Sequence, residues 1–336
     1  LLFRTSRYFV STVNYFPASV KIYYNSDTKK IGRFTMRLPP FNPKIAVAAG
    51  TGAVSVSAVL VKLAGDVPAS IIANYRLFFA VLVMIPFIVF HYRKEIRQLT
   101  AKNWARLFFG GLLISAHFIL WYASLDYTSV ASSSVLIALH PILGLLVSAL
   151  IFKERFSAGA GISIAIAILG SAIILIGDRL QNGGSFQGDM LALGSMAVLA
   201  FYYRTGKKMR KSLSLLSYTF AVYATGTVIL LLYNMMTQDN LIVFSSRQWT
   251  IFLALAIIPT FFGHMLFNWA LKWTKTPAVS IGMMLEPAGA AFLAYFILGE
   301  QITGAQWLGC TVILFGLFLF IMSIARKQEV TISRRI

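Results

Sequence analysis

MLEPAGAAFLAYFILGE, residues 284–300, is apolar enough to cross a membrane, yet Glu286 and Pro287 stand side by side within it. Both are costly there. A charged side chain at the centre of a bilayer costs roughly 2.5–3.5 kcal/mol on insertion scales. Proline removes a backbone N–H and clashes with the turn before it. The carboxyl must face a cavity, find a partner or hold a proton. Irregular backbone at that depth is tolerated where it lines a cavity.

The chain around this stretch is of the same kind. Of 336 residues, 58% are hydrophobic and 12% charged, about half the charge that covers an ordinary soluble domain. The net charge of +19 could suggest nucleic acid. The basic residues, however, fall in short clusters between apolar runs, which makes them topology signals rather than a nucleic-acid face. The single cysteine, Cys310, cannot form an intrachain disulfide.

A bilayer-spanning helix needs about 20 mostly apolar residues. Ten such runs are predicted, at 45–64, 70–91, 104–124, 130–152, 158–177, 188–206, 213–236, 248–271, 277–298 and 304–324. The fold class is thus an all-α polytopic membrane protein, since a barrel would show shorter alternating segments. With a cytoplasmic N-terminus, the inner loops hold Arg93, Lys94 and Arg97, then Lys153 and Arg155, Arg204 to Lys211, and Lys272 and Lys275, with Arg326 and Lys327 in the tail. The outer side keeps only Lys62, Arg179 and Arg247. This bias places both termini inside a cytoplasmic-type membrane. Residues 1–44 are basic, have one acid (Asp27) and reach their first methionine at Met36. They are read as an extension outside the fold, either preceding a start at Met36 or acting as a transit segment. Residues 326–336 form a cytoplasmic tail.

The chain repeats itself. HFILWYASLDYTSVASSSVLIALHPILGLLVSALIFKERFSAGAGISIAIAILG (117–170) aligns with HMLFNWALKWTKTPAVSIGMMLEPAGAAFLAYFILGEQITGAQWLGCTVILFG (264–316) after one gap near Ser124. His117 meets His264, Tyr122 meets Trp269 and His140-Pro141 meets Glu286-Pro287. Glu154 meets Glu300, and Gly170 meets Gly316. Five spans per half is an odd number, so the two five-helix repeats, 45–178 and 188–325, are inverted. Inverted repeats build alternating-access transporters, whose site lies between the halves near the midplane.

YASLDYTSVASSSVLIALHPILGLLVSALIFKERF (122–156), WALKWTKTPAVSIGMMLEPAGAAFLAYFILGEQIT (269–303) and the opening GDMLALGSMAVLAFYYRTGKKM (188–209) resemble the EamA-type members of the drug/metabolite transporter superfamily over about residues 45–324. The resemblance implies a ten-helix carrier, often an exporter of amino acids or other small metabolites, and it fixes architecture better than cargo. His140 stands where the second half has Glu286, so the halves are chemically unequal.

The candidate site residues follow from position. Glu286 is the proton-coupling candidate, or an acceptor for a cationic group, with a protonated packing role as the alternative. Pro141 and Pro287 mark kinks, the latter freeing a carbonyl near Met283. His140 is a second titratable group, alternatively a neutral ring held by a hydroxyl of Ser132, Ser133 or Ser134. His117 with Trp121, and His264 with Asn268, are i,i+4 pairs that each share a helix face. With Tyr202 and Trp269 they complete the substrate-binding set. Trp121, Tyr122, Tyr202, Tyr203 and Trp269 also suit an interfacial aromatic belt, the favoured reading of each taken alone. Arg76 could meet a substrate carboxylate, but snorkelling to the outer surface is preferred. Glu154 and Glu300 are read as turn residues before helix caps at Ser157 and Thr303.

Enzyme signatures such as HExxH, Gly-x-Ser-x-Gly or a phosphate loop are missing from the sequence, so no catalysis, cofactor or metal is expected. A channel lacks a visible filter or charge ring. A phosphorylated or nucleotide-linked sugar would want several cationic cavity residues, and of the four basic residues within the predicted spans, Lys62, Arg106 and Arg204 sit at span ends, leaving Arg76. The expectation is a secondary carrier exporting a small organic solute, possibly with a proton as coupling ion. Its partners are that solute and the bilayer; its oligomeric state stays open.

Overall fold

The computed structural model describes residues 3–5, 8–15, 18–25, 30–37, 42–143, 158–182, 186–210, 212–270, 279 and 282–333. The turn with Lys153, Glu154 and Arg155, the cap position Ser157, the segment 271–278 and the side chain of Asn268 lie outside the described residues. The N-terminal extension carries four strands, β1 (Phe3–Thr5), β2 (Tyr8–Tyr15), β3 (Ala18–Asn25) and β4 (Lys30–Arg37), paired in order as an antiparallel meander. These strands were not expected from the basic composition. YFVSTVNY and ASVKIYYN are rich in β-branched and aromatic residues, the types that favour strands.

The rest of the described chain is helical. In order come α1 (Pro43–Leu63), α2 (Ala69–Phe87), α3 (Arg93–Arg97), α4 (Ala101–Ser124), α5 (Val130–Ile137) and α6 (Ala158–Asn182). Then follow α7 (Phe186–Met209), α8 (Leu215–Met236), α9 (Ser246–Ala256), α10 (Leu266–Ala270), α11 (Glu286–Leu298) and α12 (Gly304–Ser333). Their starts are written in the sequence. Asn42 caps α1 with Pro43 in its first turn, and Thr100, Ser129, Ser214 and Ser245 cap α4, α5, α8 and α9 through their side chains. Thr303 and Gln306 bond reciprocally, side chain to backbone N–H, at the start of α12, as a capping box does. Gly299, at φ 68°, closes α11 in the left-handed conformation. α12 continues to Ser333, so the basic tail begins as helix, consistent with its Ala-Arg-Lys-Gln-Glu run of helix formers.

Two long helices widen into π-turns, Ile88–Tyr92 between α2 and α3 and Ile257–Met265 between α9 and α10. Pro86 and Pro259 explain them: each lacks the N–H that an α-turn needs, and the wider turn accommodates the ring. Among the described residues, five helical segments have the length and apolarity to cross a membrane: Pro43–Leu63, Ala69–Arg97, Ala101–Ser124, Leu215–Met236 and Ser246–Met265. Shorter apolar helices cover Val130–Leu143, Gly161–Gly177, Gly282–Leu298 and Gly304–Phe320. Large apolar side chains such as Phe108, Ile168, Leu232, Phe292 and Phe296 stand exposed on the outer surface, as a lipid-facing surface requires and a water-facing one does not.

Eight helices pack in a closed cycle. α2 packs on α9, the α9–α10 segment on α1, α1 on α11, α11 on α5, α5 on α7, α7 on α4, α4 on α8, and α8 back on α2. Helices from before and after residue 182 alternate around this ring, and α2 also packs directly on α4. Outside it, α6 pairs with α12. That crossing is close because it is made of glycine: a Cβ on Gly170 would sit 2.9 Å from the Gly309 carbonyl, and one on Gly309 would sit 2.8 Å from the Gly170 carbonyl.

Candidate functional site

Most of the ring helices contribute polar groups. The chain breaks before Glu286: Gly282–Met284 is helical, Leu285 is a turn, and α11 restarts at Glu286 with Pro287 in its first turn. Proline is favoured at that position because its missing N–H has no partner there anyway. Hydroxyls of α1 hold the broken backbone. Thr51 Oγ1 donates to the Gly282 carbonyl at 2.9 Å, and Ser55 Oγ donates to the Glu286 carbonyl at 3.0 Å. The first half does the same: α5 ends at Ile137, Ala138 and Leu139 turn, and helix resumes at His140-Pro141. The two prolines thus open fresh helical segments rather than bend continuous ones. Met283 lies in an apolar cluster with Phe267, Trp269 and Val279, one residue away from the Gly282 carbonyl that Thr51 reaches.

His140 does not take a serine hydroxyl. Its Nδ1 lies 3.2 Å from the Ile137 carbonyl, and its ring stacks on Tyr203 of α7 with centroids 5.2 Å apart. Ser133 pairs instead with Ser124 at 2.7 Å. His117 of α4 is buried and stacks on Trp121, 5.7 Å away, as their spacing requires. Its Nδ1 stands 2.7 Å from Ser195 Oγ of α7, and that hydroxyl donates to the His117 carbonyl at 3.0 Å. A hydroxyl has one proton, so in this arrangement the imidazole Nδ1–H is the donor to Ser195. His264 sits half-buried in the π-turn, a distortion that recurs at functional sites.

The sequence reading missed the centre of this network. Arg76 does not snorkel; it is 1% exposed. Its Nη1 donates to Ser57 Oγ of α1 at 2.9 Å and to Tyr122 Oη of α4 at 2.6 Å, and its guanidinium lies over the Phe118 ring at 4.5 Å. α2 packs directly on α4, and Arg76 ties that pair to Ser57 of α1. The belt reading fails for Trp121, Tyr122 and Tyr202, all buried in the protein. Tyr203 and Trp269 are half-buried. The missed signal was available: three aromatic rings, Phe118, Trp121 and Tyr122, and a serine-bearing α1 form a lining that can hold a cation.

A cavity of about 230 Å³ opens at the end of α1, lined by Lys62, Asp66, Asp126, Ala69, Ile72 and Tyr122 among others. Tyr122 joins it to Arg76. Beside it the two halves are tied. Lys62 Nζ meets Glu300 Oε1 at 2.5 Å, Glu300 Oε2 accepts from the Val130 N–H at 3.0 Å, and Gln306 Nε2 donates to Ser129 Oγ at 3.1 Å. Glu300 is therefore more than a turn residue: it caps α5 from the other half of the chain.

The chain is similar to the uncharacterized transporter YwfM of Bacillus subtilis (strain 168), 26% identical over 238 residues, 69% of this chain and 79% of that protein. An uncharacterized transporter of Archaeoglobus fulgidus is 25% identical over 244 residues, 73% of this chain and 83% of that one. A solved structure described only as a crystal structure of a protein shares the fold with a TM-score of 0.59 at 17% identity, covering 85% of this chain and 98% of its own. The profile of the EamA-like transporter family matches twice, over residues 44–176 and 186–322. Those two matches cover most of the chain, which belongs to the EamA-like transporter family: a membrane transporter and not an enzyme.

Proposed function

We propose that this transporter is a secondary carrier exporting small organic metabolites, amino acids foremost, by alternating access. In this reading ten transmembrane helices form two inverted repeats, both termini face the cytoplasm, and Glu286 carries the coupled proton. One observation carries it: helices of the two halves alternate around a cycle of eight, and Arg76, His117, His140, His264 and Glu286 all lie on or beside helices of that cycle. A site shared by two halves is exposed to either side as one half rocks against the other. The α6–α12 crossing supports the inversion. The alignment that sets Gly170 on Gly316 also sets Ser163 on Gly309 and Ala167 on Ile313. A Cβ at Gly170 would meet Gly309 and Ile313, and one at Gly316 would meet Ser163 and Ala167. Contacts that exchange in this way are those of a two-fold axis.

Proteoliposomes with a trapped pH probe test the reading, using a panel of amino acids, amines and sugar phosphates on the intact protein and Glu286→Gln. Solute-evoked proton movement that disappears in the variant, while solute binding persists, is the expected result. Labelled solute uptake with no pH change in either protein would make this a facilitator and Glu286 a binding or packing residue.

A further inference from the structure

Arg76 is a permanent charge inside a membrane protein, and its own chain leaves it incompletely satisfied. Both of its hydrogen bonds leave from Nη1 and end on neutral hydroxyls. Nε is buried without a hydrogen-bond partner, and no carboxylate among the described residues is in hydrogen-bond or ion-pair contact with the guanidinium. A buried cation without an anion in contact is strongly unfavourable. The surroundings lock the fork rather than neutralise it: Ser57 and Tyr122 fix Nη1, and the Phe118 face holds the plane. This leaves the Nε–Nη2 edge, whose two parallel N–H groups match the two oxygens of a carboxylate. A second buried donor on the same aromatic wall, Trp121 Nε1, also has no partner.

We infer that Arg76 is the carboxylate-binding residue of the transport site, so that the carried solute must bear a carboxylate, with Trp121 Nε1 as an additional donor to it. The inference rests on the transporter reading and narrows its substrate class. Ser57 and Tyr122 are positioning residues that aim the guanidinium. A simple amine or a neutral apolar body would leave the Nε–Nη2 edge empty.

The test compares uptake of one labelled amino acid with competition by its amide, its methyl ester and the matching decarboxylated amine, in proteoliposomes of the intact protein. A site built to hydrogen-bond a group rejects analogues lacking it by large factors, so the acid should compete at least about 100-fold better than all three. Arg76→Lys should lose most of that discrimination, and Tyr122→Phe part of it, while the amine's weak competition stays unchanged. Equal competition by acid, amide and amine in the intact protein would overturn the assignment and leave transport standing, whatever the variants do. Uptake of no panel member, amines included, would overturn the transport reading and this one with it.

Discussion

The tie between the halves beside the α1 cavity sets a measurable conformational balance. Glu300 uses both oxygens: one pairs with Lys62 at 2.5 Å, the other accepts the Val130 N–H at 3.0 Å. The pair is only partly buried, with side chains 26% and 17% exposed, so its Coulombic part is worth about 0.2–1 kcal/mol. The second contact is stronger for its kind, because a carboxylate meets an unsatisfied N–H at the positive end of α5; such charged bonds contribute about 1.5–3 kcal/mol. Glu300→Gln keeps a carbonyl acceptor but loses the charge, for a net loss of about 1.4 kcal/mol. On the proposed topology this tie closes the outer face, so the ratio of open to closed should rise about tenfold. The assay places a cysteine at Val61, buried at the cavity wall, in a Cys310→Ser background. The rate of labelling by a membrane-impermeant thiol reagent then reads the open fraction. Glu300→Gln should label about ten times faster, Lys62→Met two to five times faster, and the double variant no faster than the product of the two. An unchanged rate in Glu300→Gln would refute the idea that this contact holds the face shut.

Two further outcomes follow from contacts inside the membrane. Gly170→Ala would press a methyl group to 2.7 Å from Ile313 Cγ1 and 2.9 Å from the Gly309 carbonyl, and Gly309→Ala would press on the Gly170 carbonyl at 2.8 Å. Because backbone is struck in both, no rotamer change relieves them; each should cost about 1–3 kcal/mol, read as a lower Tm in detergent, with the double variant non-additive. Ser195→Ala removes the hydroxyl at 2.7 Å from His117 Nδ1. It should lower stability by about 1–2 kcal/mol, and an unchanged Tm would mean that the imidazole finds another partner at no cost.

The membrane character, the helix starts and the doubling of the chain were legible in sequence because each rests on local signals. Apolar runs of span length, the cap at Thr303, and the matched His140-Pro141 and Glu286-Pro287 need no knowledge of what packs where. Pro287 read as a kink, and the backbone instead breaks at Leu285 and restarts as helix at Glu286. The strands of the extension were also locally encoded, but composition and charge drew attention away from them.

Which groups share the interior was decided by tertiary structure alone. A position along a span gives depth, not facing, so Arg76, near enough to a helix end to snorkel, could not be told from a buried arginine. Its burial depends on Ser57 from α1 and Tyr122 from α4, which only the packing of α2 among these helices brings to the same guanidinium. The same is true of His117, whose partner Ser195 lies 78 residues away, and of Glu300, which reads as a turn residue until Lys62 and Val130 are folded against it. Hydrogen bonds and ion pairs act over a few ångströms, and no pattern along one chain records a neighbour that close from the other half.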